Sequence, residues 1–124
     1  MGKIDRTLAQ ALIAAELGRY RSARSAGDSR SAWDALERAH IVAQPFFVPH
    51  LASHWHMLRF AVASGDWGEA AGQLFRLALV PLGSLSGRLP AGNTGRANVS
   101  AFKPMPIARD LEALMSQRSA GLRE

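Results

Sequence analysis

Glu37-Arg-Ala-His40-Ile-Val-Ala-Gln44, then Pro45-Phe-Phe-Val-Pro49, then His50-Leu-Ala-Ser-His54-Trp-His56-Met57: the reading of this run decides the fold. It is a helix, a break and a second helix. Pro45 lacks the N–H that a helix interior needs and pushes the residue before it out of helical conformation. Pro49 has the φ angle of a first helical turn, so the next helix begins near it. Before the break, Trp33, Leu36, His40 and Ala43 recur at three- and four-residue intervals, which makes them an inner stripe. After it, Val48, Leu51, Trp55, Leu58 and Val62 have the same spacing and form the expected inward line. All four histidines of the chain lie in this one run.

Outward from this run, helices follow on both sides. From Ile4 to about Ala26, the residues Ile4, Leu8, Ala11, Leu12 and Ala15 share one face. Ala26-Gly27-Asp28-Ser29 makes a turn, with Gly27 just past the first helix and Asp28 or Ser29 capping the second. Ser64-Gly65-Asp66 ends the third helix, and a fourth carries Trp67, Ala70, Ala71, Leu74 and Ala78 inward until Pro81 stops or kinks it. Residues 82–106, with four glycines and three prolines, read as a long irregular excursion, with Ala91-Gly-Asn-Thr-Gly95 as a turn. A last helix from about Ile107 to Arg118 presents Ile107, Leu111, Leu114 and Met115, and 119–124 is a frayed tail.

Gly27-Asp28 recurs as Gly65-Asp66, and at the same offset Ala32 matches Ala70, Leu36 matches Leu74 and Arg38 matches Arg76. An offset of about 38 residues resembles tetratricopeptide-type helical hairpins, without their full motif. The expected fold is all-α: a single domain over 1–124, an antiparallel four-to-five-helix bundle of two helical hairpins with a long loop before the C-terminal helix.

Composition narrows the function classes. The chain has 124 residues and no cysteine, which excludes a disulfide framework and thiolate metal sites. No leader segment is visible and no apolar run nears the roughly 20 residues of a membrane span, so a cytoplasmic protein without membrane contact is expected. The net charge of +5 comes mostly from scattered arginines, densest at Arg19, Arg21, Arg24 and Arg30. Only Tyr20 and Trp33 are near enough to stack on bases, so nucleic acid is disfavoured as a partner.

The histidines carry the chemistry. Placed on a wheel with Leu51 at zero, the inward line of the third helix centres near 20° and His50 and His54 fall at about −100° and −60°. Four residues apart, they can reach one ion. His56 falls near 140° and points elsewhere. Glu37 and His40 are three apart on the second helix, the Glu-x-x-His unit that carboxylate-bridged di-metal bundles place on facing helices; only one copy is present. Counting from the first turn, Glu16 lies level with His40, so Glu16, Glu37, His40, His50 and His54 are expected in one layer. Two or three imidazoles and a carboxylate suit a divalent transition metal such as zinc, iron or copper. Met57, three residues past His54, is a thioether that favours copper if it ligates and core filling if it does not.

The string Glu37 to Gln44, His50 to Leu58, Gly72-Gln-Leu-Phe-Arg76 and Pro90-Ala-Gly-Asn-Thr-Gly95 is similar to a small bacterial domain family of unknown function, number thirty-seven hundred and three. The resemblance covers most of the chain. It implies short, helical, cytoplasmic proteins whose genes sit beside heavy-metal efflux and metal-responsive regulator genes, which leans toward metal handling. Its motif includes His56, which implies either an irregular helix at that point or service of another surface such as a homodimer contact. It also includes Gln73 and Arg76, which periodicity turns outward and which would clamp the Asn93-Thr94 loop.

The leading expectation is a helical protein that binds a divalent transition metal through His40, His50 and His54, with Glu16 or Glu37 completing the set. Metal handling and metal-dependent chemistry both remain open. The alternative is a tetratricopeptide-like interaction module whose histidines are structural and hold no metal.

Overall fold

The computed structural model describes residues 4–86, 93–97 and 104–117, with only the backbone path given for 83–86. Five helices follow in order: α1 (Arg6–Ser25), α2 (Ser29–Ala43), α3 (Phe47–Ala63), α4 (Trp67–Ser86) and α5 (Arg109–Ser116). The all-α expectation holds. α1 packs along α2 and α3 along α4, α2 lies against α3, and α5 closes on α1. Among the described residues no helix is long and apolar enough to cross a membrane.

The two Gly-Asp turns are built alike. Gly27 and Gly65 take φ of 72° and 71°, the left-handed region that glycine enters without a side-chain clash. Asp28 N–H reaches back to the Ala23 carbonyl and Gly27 N–H to Arg24; Asp66 does the same to Ala61 and Gly65 to Val62. This double closure satisfies the last carbonyls of α1 and α3. Each aspartate then caps the next helix: Asp28 accepts from Ser31 N–H at 3.1 Å and Asp66 from Glu69 N–H at 3.1 Å. The sequence echo is therefore one turn used twice.

The core falls into three connected groups. Ile4, Ala9, Ile41, Val42, Phe46 and Leu111 join the start of α1 to the end of α2 and to α5, with Ile107 and Met115 alongside as expected. Tyr20, Ala32, Ala35, Leu36, Met57 and Phe60 fill the space between α1, α2 and α3. There Phe60 meets Tyr20 edge-on at 5.4 Å and Trp33 at 5.1 Å, an arrangement favoured by the ring quadrupoles. Met57 is thus core filling and takes no part in a metal set. Leu58, Ala61 and Ala70 form the third group, between α3 and α4.

Several expectations are corrected. α3 starts at Phe47, two residues before Pro49, because Pro49 is tolerated at its third position. Pro81 lies inside α4, which runs on to Ser86. α5 is shorter than 107–118, and the 119–124 tail lies outside the described residues. In α1, Ala11 and Ala15 face solvent, while Ala9, Glu16 and Tyr20 are buried.

The larger corrections concern rotation. Val48, Trp55 and Val62, assigned to the inside of α3, are exposed; the buried face holds His50, Ser53, His54, Met57 and Ala61. That is a turn of about a quarter circle about the helix axis. In α4, Trp67, Ala71, Leu74 and Ala78 are exposed, and Glu69, Ala70, Gln73, Arg76 and Val80 are buried. Gln73 and Arg76 therefore face in. Polar partners at the centre of the molecule, described next, outweigh apolar periodicity in setting both rotations.

Candidate metal centre

Three imidazoles meet where α2, α3 and α4 pack. His40 comes from the last turn of α2, His50 and His54 from successive turns of α3. Their exposures are 2%, 4% and 2%. The four-residue spacing of His50 and His54 stacks them on one face of α3. The break at Gln44–Phe46 is short enough to return His40 to the same level. His40 Nε2 lies 3.1 Å from His50 Nε2 and 3.2 Å from His54 Nε2, and the last two are 3.2 Å apart. Three ligand atoms form a nearly equilateral triangle.

The far side of the rings decides what those nitrogens carry. His40 Nδ1 donates to the Asn93 carbonyl at 2.8 Å. A carbonyl only accepts, so the proton is on Nδ1 and Nε2 keeps a lone pair. His54 Nδ1 faces Gln73 Oε1 at 2.7 Å. The Gln73 amide is oriented in turn, because its Nε2 donates to Glu69 Oε2 at 2.8 Å and to the Gly95 carbonyl at 2.9 Å. His54 therefore also aims a lone pair inward. His50 Nδ1 is buried without a partner. A proton on His50 Nε2 can satisfy one facing nitrogen and leaves the other contact between lone pairs.

A cation removes that conflict for all three. An ion about 2.0–2.1 Å from nitrogens so spaced has N–metal–N angles of about 100°, between octahedral and tetrahedral values. Ligating histidines characteristically donate their other N–H to a carbonyl or carboxylate. Here Asn93 supplies that partner directly, and Glu69 supplies it through Gln73.

Glu69 is the hub behind the site. It accepts from Gln73, from Ala97 N–H at 2.9 Å and from Arg96 Nε at 2.7 Å. The Arg96 guanidinium also lies over the Trp33 ring at 3.8 Å. These contacts fasten 93–97 across the triangle. Two glycines let it approach: a Cβ on Gly95 would come within 2.7–2.9 Å of the His40 ring, and one on Gly72 would overlap Ala97. Gln73 does clamp the loop, as expected, but from inside. Gln73→Leu is expected to weaken metal binding by about 10–100-fold, the usual effect of losing an outer partner. Competition against a chromophoric chelator measures it; an unchanged affinity removes Gln73 from the site.

The other candidates sit elsewhere. Glu16 is buried but accepts from Arg19 at 3.0 Å and Arg38 at 3.1 Å. Arg38 continues to Asp110 at 2.8 Å, so this network ties α1 to α2 and α5. Glu37 is half-buried, and burial raises its carboxyl above the usual range while Arg96 opposes the rise. Both glutamates lie outside the triangle. His56 points away from the other histidines, as the wheel indicated, into a pocket of about 220 Å³ lined by Tyr20, Arg21, Arg24 and Arg59. Glu69 and Arg96 were not singled out from sequence, and Asn93 and Gly95 entered only as parts of a loop, with no role toward the histidines. The only signal for Glu69 was its four-residue spacing from Gln73.

Burial holds all three imidazoles neutral. It is the first cause at each: His40 is pushed well below its ordinary value, His50 down to about 3 and His54 down to about 4. Neighbouring imidazoles add to the shift at His40 and His50, and Arg76 lowers His54 while the Gln73 bond raises it. The unfolded chain takes up these protons near the ordinary value of about 6.5. Between that value and the folded ones the unfolded state binds more protons. Stability of the metal-free protein is therefore full above the unfolded value and falls with acidification, by up to about 1.4 kcal/mol per pH unit for each histidine. Urea midpoints are expected to be flat above pH 7 and to drop steeply from pH 6.5 to 4; a flat profile through that window contradicts the buried neutral triangle.

A helical protein with a buried, pre-oriented cluster of three imidazole nitrogens is the class that fold and site define. The chain belongs to the family described as Protein of unknown function (DUF3703), which matches residues 7–115. No curated protein and no solved structure matches it.

Proposed function

We propose that the protein binds one divalent transition metal ion through His40, His50 and His54. The observation that carries this reading is the triangle of Nε2 atoms with two outer Nδ1–H groups already committed elsewhere. A single proton at the centre of such an arrangement satisfies one contact of the three, whereas a cation satisfies all of them. An all-imidazole set suits zinc, copper or iron and disfavours the hard, oxygen-seeking ions magnesium and calcium. A three-histidine set also leaves a position for a further ligand. Glu37, three residues before His40 on α2, is the carboxylate proposed for it, by a side-chain movement toward the triangle once an ion is bound. Glu16, held by two arginines, contributes through the frame.

The role proposed is metal handling in the cytoplasm, by sequestration or delivery, and burial of the rings supports it. A tetratricopeptide-like module with purely structural histidines is the competing account, and the convergence of lone pairs argues against it. Elemental analysis of protein dialysed against zinc, copper and iron separates them, with one ion per chain expected. At a free metal level of about 100 times Kd, binding adds about 2.7 kcal/mol to stability. Chelator should then lower Tm by about 10 °C. Protein that holds no ion and melts at one temperature with and without chelator is the structural module.

A further inference from the structure

α4 is built inside out. Its only charged residues, Glu69 and Arg76, are both buried. Its solvent side presents Trp67, Leu74, Phe75 and Leu82, each between 58% and 67% exposed, with Ala71 and Ala78 between them. On α3 the residues Val48, Trp55 and Val62, seven apart, are also exposed, at 68%, 53% and 44%. The two stripes belong to one face, because Trp55 and Val62 share an open concavity of about 510 Å³ with Leu74.

We propose that this face of α3 and α4 packs against the same face of a second copy of the chain, giving a four-helix interface about a two-fold axis. Seven-residue spacing on α3, with the half-buried Leu51 between Val48 and Trp55, is the kind of stripe by which one helix seats its side chains between those of another. Two antiparallel helices that each carry an apolar stripe complement their own copy across a two-fold axis, the commonest symmetry of soluble assemblies. The exposed apolar side chains offer on the order of 800 Å², the size each partner contributes to a standard interface. A monomer's largest apolar patch is typically about 300–600 Å².

Other occupants fit less well. α4 has no outward charge with which an acidic or basic partner could pair. It also lacks the lysines and arginines that line a helix lying on a membrane. Arg24 and Arg59 stand at the edge of the concavity, the position in which interfaces tolerate charge. His50 and His54 occupy another side of α3, so the inference is independent of the metal reading.

Sedimentation equilibrium of the full chain, with and without metal, tests it. The expected mass is twice the 13.4 kDa of the chain, and tryptophan emission should shift red on dilution as Trp55 and Trp67 return to water. Leu74→Glu/Phe75→Glu is expected to weaken association at least a hundredfold, with metal content and helicity unchanged. Should that variant fold poorly, a nitroxide on Phe75→Cys, in a chain free of native cysteine, should show spin–spin broadening between copies. A wild-type mass of one chain at about 100 µM overturns the proposal, as does a double variant that folds and still dimerises. Monomer that partitions onto phosphatidylcholine vesicles overturns it in favour of a lipid-facing surface.

Discussion

The His50→Ala/His54→Ala double variant is expected to lose the proposed metal binding while its helix content stays at the wild-type level. Each substitution removes one vertex of the triangle, and His40 alone cannot hold an ion in competition with water. The loss should far exceed the about 10–100-fold that outer partners cost. The helices survive because none of the three hydrophobic groups includes a histidine and alanine is the best helix former. The variant also deletes the unpartnered His50 Nδ1, which offsets part of the cavity left behind. Circular dichroism with elemental analysis reads both results. Metal retained at one ion per chain would place the ion elsewhere in the molecule.

Gly95→Ala is expected to be as damaging to the site without touching a ligand. Gly95 has φ of 81°, where a Cβ costs about 1–2 kcal/mol. The added carbon would also lie within 2.7–2.9 Å of three His40 ring atoms. His40 cannot retreat, since its two nitrogens are fixed by Asn93 and by the triangle. The loop must lift instead, releasing the Asn93 carbonyl from His40 and the Gly95 carbonyl from Gln73. Metal affinity should fall by about 10–100-fold. Gly27→Ala is the matched control: its φ is 72° and nothing lies within 4 Å of the added carbon. It should lose about the same backbone stability and keep full metal affinity. Equal metal affinities in the two variants would show that the clash with His40 does not matter.

The residues legible in sequence were those governed by local rules. Gly27, Asp28, Gly65 and Asp66 announce their turns, and Pro45 with Pro49 announces the break, because each acts through its own backbone. The His50–His54 spacing is equally local, and His40 follows once the break is known to be short. Helix rotation was not legible. Apolar periodicity placed Trp55 and Leu74 inside, yet both lie in solvent, because the interior of α3 and α4 is organised by hydrogen bonds between His54, Gln73 and Glu69. The loop partners were hidden for a different reason. Asn93 reaches His40 across 53 positions, and no periodicity spans such a separation. Glu16 pairs with Arg38, two residues before His40, and counting from a turn does not choose between an ion and an arginine as its partner.

The three donor atoms lie within fifteen consecutive residues, His40 to His54, whereas the groups that lock them arrive from α4 and 93–97. Closing so short a segment costs little chain entropy. On the proposed metal reading, capture and locking are separable in time: the ligands of α2 and α3 would take up an ion before the downstream strap has docked. Release then waits on undocking of that strap, so the dissociation rate should follow amide exchange at Gly95 and Ala97 and be insensitive to chelator concentration.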